Sequence, residues 1–221
     1  MAFDLAVIAD SWRFLAYGVW ITILLSVVSG LCSLGAGLLI ALGRLYGPSW
    51  LRIPLVLYID SMRAIPVLVV LVWTFFALPL VAGITMSPFM AALIGLTVHL
   101  AAYAAEIVRA GIESVRPGQT RAALALGMSH AQVLRRILLP QALVRMLPAF
   151  GSLLSVTIKD TAIASVIAVP ELMRQSETVA GQSFQPIEVY SVAMLLYFLL
   201  LFPVTRGVDR IYRRVAHLGR S

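Results

Sequence analysis

Long uncharged runs, rather than alternating patterns, dominate this chain. Phe14 to Gly43 is thirty residues without a charge, longer than the ~20 residues a helix needs to cross a bilayer, so it reads as a spanning helix with room to tilt. Four more apolar runs follow, at about 53–79, 88–112, 148–169 and 189–208. In the first run, Ser29, Cys32, Ser33, Ala36 and Gly37 supply small residues that let a neighbouring helix come close, and Cys32 is expected to be one of the packed ones. The second run carries Asp60 and Arg63 three residues apart, near enough to pair on one helix face, and Pro66 should kink the helix beyond them. A kinked, charged entry of this kind serves as an anchor at the interface or as a gate. The third run ends with Glu106 and Arg109 on one face, and the fourth holds Lys159 and Asp160 near its middle. Glu171, Arg174, Glu177, Gly181 and Pro186 read as a polar connection to the last run.

One long polar stretch, about 113–145, interrupts this membrane-grade pattern. Gln119 to Leu126 is rich in alanine and leucine and favours helix. Gly127 can take the left-handed stop position, and Ser129 with Gln132 three residues on forms a capping box for a second helix expected to run to Pro140. That second helix mixes Arg135 and Arg136 with Val133, Leu134 and Ile137, so it is partly solvated and partly buried. A solvated knob between two membrane helices is a surface for something outside the bilayer to touch.

Composition agrees with the pattern. The chain is 61% hydrophobic and 12% charged with mean hydropathy +0.95, against roughly 45–50% apolar and about 25% charged in soluble domains. It is read as an all-α integral membrane protein with five transmembrane helices. The single cysteine excludes a disulfide framework or a zinc cluster within the chain. The first residues, with Asp4 and Asp10 and no basic residue before Arg13, lack the basic opening of a cleaved signal peptide. A net charge of +7 would suggest nucleic acid in a soluble protein, but its placement here follows membrane topology. With the C-terminus inside, Arg44 and Arg52, six arginines from Arg109 to Arg145, and Arg206, Arg210, Arg213, Arg214 and Arg220 all fall inside, and only Arg13 and Arg174 fall outside. The positive-inside rule therefore places the N-terminus outside and the polar loop in the cytoplasm.

The motifs of catalysis are missing. There is no GxxxxGK[ST] phosphate loop, no HExxH, no CxxC and no GxSxG elbow. An enzyme acting alone is not expected, and active transport would need energy from another subunit. Charges inside the bilayer persist only when paired or facing a polar cavity, so Asp60, Arg63, Glu106, Lys159 and Asp160 are candidates for a substrate path or for interhelical ion pairs. Lys159 and Asp160, adjacent and hence about 100° apart on a helix, cannot face the same partner. One should face a cavity and the other a partner residue. Thr161 and Ser165 would extend a wet face from Asp160.

The run from Ala102 to Phe150, with AYAAEIVRAGI, GQ, ALGM and LPQA in order, resembles the cytoplasmic loop of ATP-binding-cassette importer permeases, in their polar amino acid branch. KDT at Lys159 to Thr161 and RAIP at Arg63 to Pro66 extend the resemblance over nearly the whole chain. One position departs from it: the glutamate that usually opens the Glu-Ala-Ala signature is Arg121 here, before Ala122 and Ala123, which removes the customary salt bridge at that spot. The resemblance implies the type I importer permease fold, a bacterial inner-membrane location and a coupling role for Arg121, Ala122, Ala123, Leu126, Gly127 and Met128. It also implies an ATPase dimer that binds ATP and magnesium, a second permease subunit, identical or paralogous, and an extracytoplasmic binding protein, for which Glu171, Glu177 and Glu188 are docking candidates. No cofactor is expected in this chain. RAIPVLVVLVW, Arg63 to Trp73, leans toward the glutamate and aspartate permeases. Two alternatives are an ion-coupled carrier or channel using Asp60, Glu106 and Asp160 as a proton relay, and a membrane-tethered nucleic-acid binder built on the helix-turn-helix look of Ala122 to Ile137.

Overall fold

A computed structural model describes residues 6–216; Asp4 and Arg220, weighed above for the N-terminus and for the orientation, lie outside the described residues. The described residues are almost entirely helical. Four helices, Ala6–Tyr46, Pro88–Glu113, His130–Ile167 and Pro186–Val215, are long and apolar enough to cross a membrane, and a bent pair, Ser49–Ala64 with Val67–Ala82, supplies a fifth if counted as one span.

The architecture is organised by α1 (Ala6–Tyr46), which packs along α5 (Pro88–Glu113) over most of its length. Leu15, Gly18, Thr22, Leu25, Ser29, Ser33, Gly37 and Ala41 are all buried, a stripe at helical spacing down one face of α1. Its small members set the interaxial distance: a Cβ on Gly37 would lie 2.5 Å from the Ala104 Cβ and 2.9 Å from the Ala101 carbonyl oxygen. The serines satisfy themselves within the helix, Ser29 Oγ donating to the Leu25 carbonyl at 2.6 Å and Ser33 Oγ to that of Gly30 at 2.9 Å, so they bury little unmet polarity. Cys32 faces outward and is exposed, not packed, because it lies one residue off the buried stripe.

The second apolar run is broken outright where a kink was expected. α2 (Ser49–Ala64) ends at Ile65, and α3 (Val67–Val72) restarts after Pro66 at 107° to it. Proline's ring drives the preceding residue out of the helical region, and Ile65 is extended at φ −83°, ψ 131°. From α3 the chain passes through a π turn, Trp73–Ala77, into α4 (Leu78–Ala82). Two short helices, α6 (Pro117–Ala125) and α7 (His130–Val133), form the polar loop, and a second π turn, Leu134–Leu138, leads into α8 (Leu139–Ile163). The loop's second helix therefore does not stop at Pro140 but continues into the fourth span. Each π turn sits just ahead of an X-Pro pair, with Leu78 N–H bonded to the Trp73 carbonyl and Leu139 N–H to that of Leu134. The wider turn absorbs the N–H that Pro79 and Pro140 lack and the clash of their rings.

The stretch after Glu171 is a helix, α9 (Leu172–Ser183), not a loose connection. Its buried residues, Leu172, Gln175, Ser176, Val179 and Ala180, recur at helical spacing, and it docks on α1 where Gly18 leaves room: a Cβ there would meet the Leu172 backbone at 2.8 Å. The last span, α10 (Pro186–Val215), packs on α8 and α9.

Candidate functional site

Breaking the second run opens a cavity of about 680 Å³, within the ~300–1,000 Å³ typical of small-molecule sites. The break supplies Arg63 to Val67, α5 supplies His99, Leu100, Tyr103 and Ile107, and α8 supplies Ala149, Ser152, Leu153, Val156 and Asp160. Tyrosines pin the broken helix to α5: Tyr58 Oη donates to the Val98 carbonyl at 2.5 Å, and Tyr103 Oη donates to the Arg63 carbonyl at 3.4 Å. The Arg63 guanidinium sits 5.9 Å from the centre of the Tyr103 ring, a cation–π distance.

The cavity wall thus carries one cation, Arg63, and one carboxyl, Asp160. His99 stands beside them, only 5% exposed, with its ring 5.3 Å from that of Tyr103. Its Nδ1 is buried and has no hydrogen-bond partner among the described residues, an unmet polar atom just behind the cavity wall.

The sequence-derived candidates separate. Arg63 and Asp160 line this cavity. Asp60 does not; it is exposed and makes no ion pair among the described residues, because α2 ends just past Arg63 and that side chain turns to Tyr103 instead. Glu106 is taken up by a cluster of arginines. Arg44 reaches it from the end of α1 at 2.8 Å, and Arg109 bridges Glu106 and Glu113 along α5, which fastens α1 to α5 as the alternative ion-pair reading anticipated. Lys159 is exposed and does not line the cavity, although it lies only about 20° around α8 from Ser152, and it has no ion-pair partner among the described residues, contrary to the expectation of one. Thr161 is fully buried and donates to the Ile158 carbonyl at 2.8 Å, and Ser165 is buried as well, so neither extends a wet face. Thr161 sits about 100° around the helix from Asp160, and Ser165 lies beyond the end of α8 in the 3₁₀ turn Ala164–Ile167; the face that Asp160 shares runs backward by fours, to Val156 and Ser152. Sequence reasoning missed Ser152, His99 and Tyr103, although the last two are an i, i+4 pair of polar rings in an apolar run.

At the polar loop the local chemistry follows the sequence. Gly127 is left-handed at φ 81°, with its N–H on the Leu124 carbonyl at 3.0 Å and the Met128 N–H on that of Ala123 at 3.1 Å, a glycine-stopped helix end. Gln132 N–H donates to Ser129 Oγ at 3.3 Å, and Gln132 Oε1 accepts from the Ser129 N–H at 2.8 Å. Arg121, Ala122 and Gly127 are exposed, Leu126 is 84% exposed, and Met128 is half-buried. Ala123 is buried at 3% and supports the tip from below instead of belonging to its surface. Arg121 makes no ion pair among the described residues. The knob is tied to α8, where Gln141 Nε2 donates to Gln119 Oε1 at 2.6 Å, and α8 is tied to the end of α5, where the Arg145 guanidinium bonds the Ser114 carbonyl. These bonds link the knob to α8 and α8 to α5, the two helices that carry most of the cavity wall.

Glu171 is not a surface docking point. It is fully buried as the N-cap of α9, accepting from the Met173 and Arg174 N–H groups at 2.9 and 2.7 Å and from Tyr197 Oη at 2.8 Å. Burial outweighs those bonds and raises its pKa from 4.5 to about 7.

A helical membrane protein with a cavity at a broken span and a braced knob at one end has the form of a transport subunit driven from outside the bilayer. Residues 33–217 match the family of binding-protein-dependent transport system inner membrane components, and the chain belongs to that family, as a permease subunit of an ATP-binding-cassette importer. A probable amino-acid permease of Bacillus subtilis, YckA, is 37% identical over 97% of this chain and 95% of its own length. The glutamine permease GlnP of Escherichia coli is 33% identical over 97% and 99%, and the L-cystine permease TcyL of B. subtilis is 36% identical over 89% and 85%. Among solved structures, an amino acid ABC transporter crystallised with histidines superposes with a TM-score of 0.90 at 30% identity, covering 97% of this chain and all of that one. The MetNI methionine transporter in an inward-facing form, at 24% identity and TM-score 0.80, shares the fold.

Proposed function

We propose that this permease passes a polar amino acid through the cavity at the Ile65–Pro66 break, with Asp160 receiving the α-ammonium group and Arg63 the α-carboxylate. The single observation that carries this reading is the pairing of one cation and one carboxyl on the wall of a cavity of about 680 Å³, which mirrors the two charges of a zwitterion. The amino acid descriptions of the relatives support it. His99, with its unmet Nδ1, would read the substrate's side chain. Glutamate or aspartate would need a second cation beside the substrate. Lys159 is not among the residues that line this wall, so a neutral polar amino acid fits it better, and glutamine is the first probe to use.

In this account the chain lies with its N-terminus outside and the arginine-rich loop and tail in the cytoplasm, as their charge requires. Two copies, or this chain and a paralogue, present two knobs to an ATPase dimer. Each knob offers Leu126 and Met128 as its apolar tip, with Ala122 and Arg121 beside it. A binding protein delivers the substrate on the opposite face. Asp60, Glu106, Lys159 and Thr161 are left out of the substrate's contacts, since two are exposed off the cavity, one is ion-paired and one is buried. The test is uptake of labelled amino acid into proteoliposomes holding the whole complex. Asp160→Asn, which keeps shape and removes charge, should reduce uptake at least about tenfold, the ~1.4 kcal/mol expected of one charge-assisted hydrogen bond. Unchanged uptake would remove Asp160 from the path.

A further inference from the structure

Away from the cavity, α1, α8 and α10 leave a second concavity, lined almost entirely by apolar side chains. It consists of two adjoining parts of about 330 and 270 Å³ that share Ser26, Val27 and Leu154. On α10 its wall is Leu200, Val204, Val208 and Ile211, one face of that helix. On α1 it runs from Thr22 to Leu34, a length of about 18 Å at ~1.5 Å per residue, close to the ~15 Å hydrocarbon depth of one leaflet.

Every hydroxyl on this wall is already engaged within the chain: Thr22 Oγ1 accepts from the Leu172 N–H at 3.1 Å, and Ser26 donates to the Thr22 carbonyl at 2.7 Å, Ser33 to that of Gly30 at 2.9 Å, and Thr157 to that of Leu153 at 2.9 Å. The groove offers no free hydrogen bond along its length, so its occupant there must be hydrocarbon. Nor does the chain fill it. A Cβ on Gly30 would meet nothing within 4 Å, whereas Gly37, on the packed face of the same helix, has no such room. The charge is at one end. Arg214 lies one turn beyond Ile211 and Arg210 beside it; both are exposed, and neither makes an ion pair among the described residues.

We propose that this groove binds an anionic phospholipid, one acyl chain lying along α1, α8 and α10 and the phosphate held at Arg210 and Arg214. The apolar wall selects the chain, and the unpaired guanidinium groups select the negative headgroup. Such a lipid would seal the seam between the first and last spans, which pack on each other less than either packs on its other neighbours.

The test uses the full chain, with any ATPase that co-purifies, in detergent micelles titrated with dioleoyl phosphatidylglycerol or dioleoyl phosphatidylcholine, bound lipid being counted by native mass spectrometry. Phosphatidylglycerol should be retained at least about fivefold over phosphatidylcholine, the factor expected of a single arginine at a membrane surface. Replacing both arginines (Arg210→Gln with Arg214→Gln) should bring it down to the phosphatidylcholine level. Gly30→Leu, whose Cβ enters open space and whose branch projects into the groove, should lower retention of both lipids while the melting temperature and oligomeric state hold. Equal retention of the two lipids by the unaltered chain, or undiminished phosphatidylglycerol in Gly30→Leu, overturns the proposal. If Gly30→Leu instead splits the oligomer with lipid counts unchanged, the groove is a contact between permease copies and the proposal fails.

Discussion

Replacing Gly127 isolates backbone conformation from packing more cleanly than any other change at the knob. Its φ of 81° is left-handed, and a Cβ built there meets nothing within 4 Å. An added Cβ therefore strikes nothing, and the cost at this position is chiefly conformational. That cost is about 1 kcal/mol for alanine and about 2 kcal/mol for a β-branched valine, within the range for non-glycine residues forced left-handed. About 2 kcal/mol shifts a local equilibrium roughly thirtyfold, enough to open the glycine-stopped turn that holds Leu126 and Met128 as one tip. In proteoliposomes containing the assembled transporter, Gly127→Val should lose most substrate-stimulated ATP hydrolysis while assembly persists, Gly127→Ala should lose less, and Gly127→Asn, which tolerates this conformation, should lose least. Equal stimulation in the valine variant and the parent would refute the claim that the left-handed stop shapes the coupling tip.

Two further predictions concern stability. Gly37→Ala should cost about 1–3 kcal/mol by overpacking α1 against α5, seen as a lower melting temperature in detergent, while the same change at Gly35, where a Cβ meets nothing within 4 Å, should leave melting unchanged; equal effects at the two sites would contradict the close approach. The raised pKa of Glu171, about 7 against 4.5, means that its protonated form is the one the fold favours. Its contribution is fully present below pH ~4.5 and is lost as pH rises through ~7, about 3 kcal/mol at ~1.4 kcal/mol per pH unit. Melting temperature should accordingly fall between those values in the parent and stay flatter in Glu171→Gln, and parallel curves would show that Glu171 does not titrate there.

What the sequence disclosed was whatever depends on neighbours in the chain. Uncharged runs marked the spans, and Gly127, Ser129 and Gln132 marked the turn and cap, because each of those features is satisfied within a few residues. The cavity was legible only in part. Asp160 and Arg63 stood out as charges, but which residues share their wall depends on the relative rotation of α2, α5 and α8, and extending the face from Asp160 to Thr161 instead of back to Ser152 turned it by 100°. The proline at position 66 announced a distortion but not its size, since nothing local separates a kink from the 107° break that opens the cavity. α9 was hidden by its charges: Arg174 and Glu177 suggested a polar link, while Leu172, Ser176, Val179 and Ala180 carried a helical period underneath. Glu171 read as surface because glutamates usually are; its burial follows from the N-cap it makes and from Tyr197, far away in sequence.

The account rests on an amino acid in the cavity driving ATP use through the knob, and ATP hydrolysis by the complex that co-purifies with this chain tests that most directly. Reconstituted with its binding protein and supplied with each proteinogenic amino acid in turn, the complex should hydrolyse ATP faster for one chemical group of amino acids, neutral polar ones first among them. Hydrolysis indifferent to every amino acid, or a chain that retains no ATPase and sustains uptake on a proton gradient alone, would contradict it.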